Sequence, residues 1–202
     1  MMKDLKYLSG GFNLFELVMV MSIIAILATI GIPSFKYVTT ANRISSEVNS
    51  LLGDMQFAHS EALKEGQYVT VCASSNPTAV TPSCSASTSW LNGWIVFSDP
   101  NQNQIVDVGE PILRVQTALN SSDTFVADNS VQAVTFNREG FPASGTIGNT
   151  LFLPAVTFTL HDSTANGQWT RCLAVNTTLP NPALPNAVGM LGTEKAGTGN
   201  CL

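Results

Sequence analysis

The feature that most constrains this 202-residue chain is an apolar run near its start, which carries no charge between Leu17 and Phe35. A helix rises 1.5 Å per residue, so a run of this length is close to the minimum that crosses the hydrocarbon core of a bilayer. One carboxylate, Glu16, stands directly before the run, and Lys36 stands directly after it. The sequence therefore predicts one membrane-spanning helix with a carboxylate at its edge.

The residues that precede this run resemble the positive end of an export signal. Lys3 and Lys6 are expected to stay on the cytoplasmic side. A cleaved secretory signal would carry its small-residue cut site after the apolar core, whereas Gly10 and Gly11 come before it. We therefore expect the apolar segment to remain on the mature protein.

The apolar run continues into an amphipathic helix. Pro33 removes one backbone hydrogen bond and is expected to kink or loosen the helix. Charged residues lie mostly off the apolar stripe that follows, and Gly66 is a stop signal. We predict one helix from about Phe12 to about Glu65, lipid-facing in its first half and packed on a globular domain in its second. The stripe has 4-3-4-3-4 spacing: Ile44, Val48, Leu51, Met55, Ala58 and Ala62.

After Gly66 the sequence is typical of short strands. They are rich in Val, Ile, Thr and Phe and are bounded by Gly, Pro, Asn or Ser. No further long helix is predicted, and the Pro- and Gly-rich tail from Thr177 is expected to be a loop fastened at Cys201. The predicted strands are Tyr68–Cys72, Gly93–Phe97, Pro111–Val115, Ala133–Phe136, Ala155–Leu160 and Thr170–Val175.

Four cysteines follow the membrane segment: Cys72, Cys84, Cys172 and Cys201. An even number after such a segment indicates an oxidising compartment and two disulfides, and four cysteines allow three pairings. Their order along the chain favours Cys72–Cys84 and Cys172–Cys201, and four buried free thiols are the alternative. No CxxC motif is present, so a metal site built on cysteine is not favoured.

The polar segment "DPNQNQIVDVGE" allows two interpretations. Its oxygen-bearing residues fall on positions 1, 3, 5, 9 and 12 of a calcium-loop template, but the sixth position is Gln104 where glycine is expected. Predicted strands flank the segment where an EF-hand has helices, so a polar turn with Asx caps is the alternative. The candidate calcium ligands are Asp99, Asn101, Asn103, Asp107 and Glu110.

The sequence does not indicate an enzyme. His59 and Glu61 stand two positions apart on a predicted helix and therefore face different sides. We find no Ser/His/Asp or Cys/His constellation and no Gly-rich phosphate loop in the sequence.

The segment "GGFNLFELVMVMSIIAILATIGIPSF" resembles the class III signal of type IV pilins and type II secretion pseudopilins. The pattern G-F-T-L-x-E-L is matched by Gly11, Phe12, Leu14 and Glu16, with Pro33 further along. Asn13 and Phe15 replace the commoner Thr and Ile. Two later segments, "FAHSEALKEGQYVTVC" and "WLNGWIVFSDPNQNQIVDVGEPILR", resemble the FimT/GspH group of that family, with His59 where arginine is common.

This resemblance implies a fold and a life cycle. The fold would be α+β, with a long N-terminal helix packed on a mainly antiparallel β-sheet domain. A prepilin peptidase would cut after Gly11 and methylate the new amine of Phe12, which would pair with Glu16 of a neighbouring subunit. Glu16 and Pro33 would belong to the assembly helix, and the partners would be other pilin or pseudopilin subunits.

The same resemblance predicts domain limits and a location. Residues 1–11 would be the leader, residues 12–35 the transmembrane and assembly helix, and residues 36–202 a periplasmic globular domain. The chain would be held in the inner membrane by a single span before it enters a pilus or pseudopilus. As a minor subunit of this kind, it would be incorporated into the fibre or prime its assembly.

A role in DNA uptake is the alternative function. Some members of the FimT group are thought to capture DNA through a basic element near the C-terminus, but here Lys195 is the one basic residue after Arg171. A net charge of −5 also repels phosphates in general. The sequence does not favour a nucleic-acid partner but leaves one open.

Overall fold

A single long helix dominates the N-terminal part of the chain. The computed structural model describes residues 11, 13–119, 122–146, 149–151, 156–175, 191–195 and 201. Helix α1 spans Leu14–Glu65, close to the predicted limits. Its N-terminus is capped by Asn13, whose Oδ1 accepts the Phe15 N–H at 3.3 Å. It ends before Gly66, whose φ of +63° is the left-handed conformation typical of a helix C-terminus.

The chain divides after Ala41 into two compact units, Met1–Ala41 and Asn42–Leu202. The second unit contains two antiparallel sheets built from ten strands within the described residues. The first sheet has the order β3-β2-β1-β5-β6-β7, and the second has the order β10-β9-β8-β4. The strands are β1 (Val69–Ala73), β2 (Trp94–Ser98), β3 (Ile112–Gln116), β4 (Thr124–Ala127), β5 (Ala133–Phe136), β6 (Pro142–Thr146), β7 (Asn149–Leu151), β8 (Val156–His161), β9 (Arg171–Val175) and β10 (Leu191–Lys195).

The main core lies between the second half of α1 and both sheets. All six residues of the predicted apolar stripe are buried, as the spacing predicts. They pack with Val71 and Val96 of the first sheet and with Phe158 and Leu173 of the second. This confirms the predicted α+β arrangement of a long helix on antiparallel strands.

The other face of the first sheet carries a smaller core. Cys72, Ile95, Phe97 and Ala133 are buried there because successive strand residues point to opposite faces. Val106, from the loop after β2, packs against this cluster. Both faces of the sheet are therefore covered, which explains why β1 and β2 read as continuous apolar runs.

Some predictions about the strands need correction. The predicted loop after Thr177 contains strand β10, which pairs with β9, for example Thr193 with Leu173. Strands β4, β6 and β7 were not predicted either. The six predicted strands are present, with limits that agree within about one residue.

Candidate functional site

The N-terminal end of α1 carries the residues that the leader motif singles out. Gly11 is exposed, and Glu16 lies in the first turn of the helix. A carboxylate there is stabilised by the helix dipole. Glu16 also stands three residues after Asn13, the spacing of a capping box. Phe12, the expected methylated residue, lies outside the described residues. Residues 1–10, which precede Gly11 in the expected leader, also lie outside them.

An apolar surface surrounds the first part of α1. Its large side chains are exposed on all sides, which is far more than a soluble protein normally leaves uncovered. By length and composition this helix is apolar enough to cross a membrane. Such a surface needs lipid or other protein around it. The exposed residues are Leu14, Phe15, Leu17, Val18, Met19, Val20, Met21, Ile23, Ile24, Ile26, Leu27, Ile30, Ile32 and Phe35.

Pro33 lies inside the helix, which continues on both sides of it. Proline has no N–H, so the carbonyl of Thr29, four residues earlier, has no backbone donor in the helix. The Thr29 hydroxyl donates to the Ile26 carbonyl at 2.7 Å. Helix α1 therefore has a locally weakened turn at Pro33.

A buried carboxylate anchors the second half of α1 to the first sheet. Asp54 accepts a hydrogen bond from the Trp94 indole N–H at 2.8 Å and another from Arg114 at 3.0 Å. The Arg114 guanidinium also stacks on the Phe57 ring, 3.9 Å from its centre. The sequence interpretation missed this cluster, because it placed Asp54 among the charges off the apolar stripe.

A second ion pair joins α1 to the start of β4. Arg43 donates to both carboxylate oxygens of Asp123, whose side chain is buried, and it also contacts Glu47. A bidentate arginine–carboxylate pair fixes orientation as well as charge. The helix is thus held near both ends of its packed half, at Arg43 and at Asp54.

Both cysteine pairs suggested by the sequence order are disulfides in the structure. Cys72 of β1 is bonded to Cys84, and Cys172 of β9 is bonded to Cys201. No free cysteine is found in the described part of the chain. The first bond closes a loop beside the first sheet, and the second fastens the end of the chain to the second sheet.

The two ends of the candidate calcium loop face different partners. The Asp99 carboxylate is buried and accepts hydrogen bonds from the Thr70 hydroxyl at 2.6 Å and from two backbone N–H groups at 3.1 Å, those of Asn103 and Gln104. Burial raises the pKa of Asp99, and these donors oppose that effect. Its oxygens are already used inside the fold.

The other candidate ligands bond to one another. Asn101 and Asn103 each donate an amide N–H to Asp107 at 2.8 Å, and these bonds lower the pKa of Asp107. Glu110 accepts the Asp107 N–H at 2.9 Å, and desolvation raises the pKa of Glu110. No group of three or more His, Cys, Asp or Glu side chains that could hold a metal ion occurs in the described residues. The observed hydrogen bonds are those of a polar turn, and calcium binding by this loop stays a prediction.

His59 and Glu61 are not brought together with other reactive groups. The His59 ring packs edge-on against Phe136 and lies under the turn at Gly140. Glu61 pairs with Lys64 at 3.0 Å. Neither residue is part of a nucleophile–base pair among the hydrogen bonds of the described residues.

The basic side chains of the second unit are mostly engaged within it. Arg43, Lys64 and Arg114 form ion pairs, and Arg138 lies over the Tyr68 ring. Since phosphate contacts supply most nonspecific affinity for nucleic acids, these pairs reduce the cationic surface open to DNA.

The described structure defines a class of protein: a pilin-like subunit with an apolar N-terminal helix and an antiparallel β-domain. It is similar to a crystal structure of the type IV minor pilin FimU from Pseudomonas aeruginosa, with a TM-score of 0.50 and 16% identity over 76% of this chain and 89% of that one. A second crystal form of FimU matches with a TM-score of 0.48 and 16% identity, covering 74% and 91% of the two chains. At this identity the likeness concerns the fold.

The family follows from the sequence match. Residues 47–178, more than half of the chain, match the family model described as type II transport protein GspH. The chain therefore belongs to this family of minor pilins and pseudopilins. No curated protein matches it significantly.

Proposed function

We propose that this protein is a structural, non-enzymatic subunit of a type IV pilus or type II secretion pseudopilus. A prepilin peptidase would cut after Gly11 and methylate Phe12. Before assembly, the chain would be held in the inner membrane as a single-pass protein, with its globular unit in the periplasm. It would then enter the fibre, or prime it, by packing its first helix against those of other subunits.

The observation that carries this proposal is the exposed apolar helix with one carboxylate in its first turn. A charge near the bilayer interior costs about 2.5–3.5 kcal/mol on insertion scales, so its presence calls for a partner. Cleavage after Gly11 creates a cation, the amine of Phe12, close by in the chain. A neighbouring subunit offers the same amine at similar depth.

The experiment replaces the carboxylate and follows three steps separately. Glu16→Ala should insert into the membrane and be cleaved about as well as the parent chain, because neither step needs the carboxylate in this scheme. Its incorporation into sheared fibres or pseudopili should fall severely. Glu65→Ala, which removes an exposed carboxylate at the other end of the same helix, is the matched control and should assemble normally.

A second variant separates processing from assembly. A bulky residue at Gly11, as in Gly11→Val, should block cleavage, since a small residue lets the backbone enter the enzyme cleft. The chain would then accumulate with its leader attached.

If Glu16→Ala assembled like the parent chain, the pairing scheme would be wrong.

A further inference from the structure

The second unit contains a hollow of about 370 Å³ that the pilin scheme does not use. It lies at the end of the first sheet where β2 begins and β3 ends. One wall is the disulfide loop, defined here as residues 73–83 between the bonded cysteines, and it contributes Ser75, Pro77 and Thr78. The other wall consists of Asn92 before β2 and of Thr117 and Ala118 after β3.

A glycine allows these segments to come together. Gly93 has a φ of +104°, and a Cβ atom there would lie 2.2 Å from the Gln116 carbonyl oxygen and 3.1 Å from Pro77 Cγ. Any other residue would force the end of β3 or the disulfide loop outward. The distance between the two walls therefore depends on Gly93.

The disulfide loop is held in place by more than its covalent bond. The Ser83 N–H and hydroxyl both donate to Asn76 Oδ1 at 3.1 Å, and the Ser74 hydroxyl donates to the Ser83 carbonyl at 2.7 Å. A wall fixed in this way loses little conformational entropy when a ligand binds. This wall of the hollow is thus held in place by the fold itself.

The chemistry of the walls selects a ligand class. None of the lining residues is charged, so a charged ligand would lose its water without gaining a counter-charge. Within the described part of the chain, the side chains of Ser75, Thr78, Asn92 and Thr117 have no intramolecular hydrogen-bond partner. Ala118 adds a small exposed apolar surface beside these polar groups, whereas Pro77 also lines the hollow but is largely buried. The walls match a neutral molecule that has many hydroxyl groups and an apolar ring face.

We propose that this hollow binds a neutral saccharide, with one sugar ring held between the disulfide loop and the Asn92–Thr117 wall. One face of the ring would lie against Ala118, and its hydroxyls would bond with Asn92 and Thr117 on one side and with Ser75 and Thr78 on the other. The proposal is independent of the role in fibre assembly, since it uses only groups of the second unit.

Binding can be measured on the full chain in a zwitterionic detergent that has no sugar headgroup. The probes are two neutral disaccharides, N,N′-diacetylchitobiose and maltose, and the readout is saturation-transfer NMR with a titration. We expect saturable binding of at least one probe. The double variant Asn92→Ala/Thr117→Ala should weaken it about fivefold or more, whereas Asn49→Ala, an exposed asparagine on α1, should not change it.

Each other outcome overturns the proposal. Absence of saturable signal with both probes at tens of millimolar would exclude saccharide binding at this hollow. Binding that survives the double variant would place the sugar elsewhere. Self-association of the chain that the double variant abolishes, without sugar binding, would assign the hollow to a second copy instead. Circular dichroism of each variant checks that the fold is intact.

Discussion

Two buried tryptophans near the sheet–helix contact differ in one hydrogen bond. Trp94 donates its indole N–H to Asp54, whereas the Trp90 N–H has no partner among the described residues. Trp90 contributes through packing, edge-on against Phe158 with ring centres 4.9 Å apart. Comparing substitutions at Trp94 and Trp90 therefore separates the stability that comes from the Trp94–Asp54 hydrogen bond from the stability lost when the side chain becomes smaller.

We predict that Trp94→Phe destabilises the fold more than Trp90→Phe does. Both changes remove the same atoms from fully buried positions, but only the first leaves the buried Asp54 carboxylate short of a donor. The difference should be about 2 kcal/mol, typical of a hydrogen bond to a charged group. Urea unfolding followed by circular dichroism measures both variants, and equal losses would show that the Asp54 bond contributes nothing.

A second residue-level prediction concerns pH. Burial raises the pKa of Asp99 above its usual range, so the folded chain binds more protons than the unfolded chain does between the usual and the raised pKa. The contribution of Asp99 to stability should therefore decrease as the pH rises through that window. Asp99→Asn should make this decrease smaller in a series of urea midpoints between mildly acidic and neutral pH, and the part that remains belongs to Glu110 and Asp128, whose pKa values are also raised.

Asp107 provides the matched control with the opposite sign. Its pKa is lowered by the amides of Asn101 and Asn103, so its favourable contribution is present above the usual pKa and is lost as the pH falls through the lowered value. Asp107→Asn should thus leave the decrease due to Asp99 intact. An unchanged pH profile in Asp99→Asn would contradict the assignment to Asp99.

At the scale of elements, helix α1 contains a glycine, Gly53, at a position where a larger side chain would fit without a clash. Gly53 lies in the helix interior, and a Cβ atom there would meet nothing within 4 Å. Gly53→Ala should therefore stabilise the fold by about 1 kcal/mol, the usual helix preference of alanine over glycine. Gly66→Ala should do the reverse, because Gly66 ends the helix with a positive φ. Melting temperatures of the two variants should move in opposite directions.

The elements that the sequence predicts are those whose signal is local. The stripe of α1 and the Val- and Ile-rich segments of β1 and β2 can be read from neighbouring residues alone. By contrast, "PASGT" of β6 and "LGTEK" of β10 have little strand preference of their own, and they are strands because β5 and β9 pair with them. The same limit applies to the site. Gly11 and Glu16 belong to a short motif, but the partners of Asp54 lie 40 and 60 residues further along the chain.

At the scale of the whole molecule, the two compact units differ in where their apolar side chains lie: the first unit exposes them, and the second buries most of them in a core. In the first unit, large apolar residues are exposed along the helix from Leu14 to Phe35. The main core begins at Ile44 and lies wholly in the second unit. One continuous helix serves both units. The chain therefore has two separable requirements: an apolar environment for the first unit, and packing of Asn42–Glu65 onto the sheets for the second.

This separation predicts that a chain starting at Lys36 folds without a membrane. It retains the full core, both disulfides and the Arg43–Asp123 pair, and it loses the exposed apolar surface. We expect it to stay soluble without detergent and to unfold in one cooperative thermal transition, whereas the full chain should float with lipid vesicles. A matched chain that starts at Ser50 lacks Ile44 and Val48, the first two core residues of α1, and should melt at a much lower temperature. Aggregation of the Lys36 chain, or a melt without a transition, would show that the first helix half is needed for the fold itself.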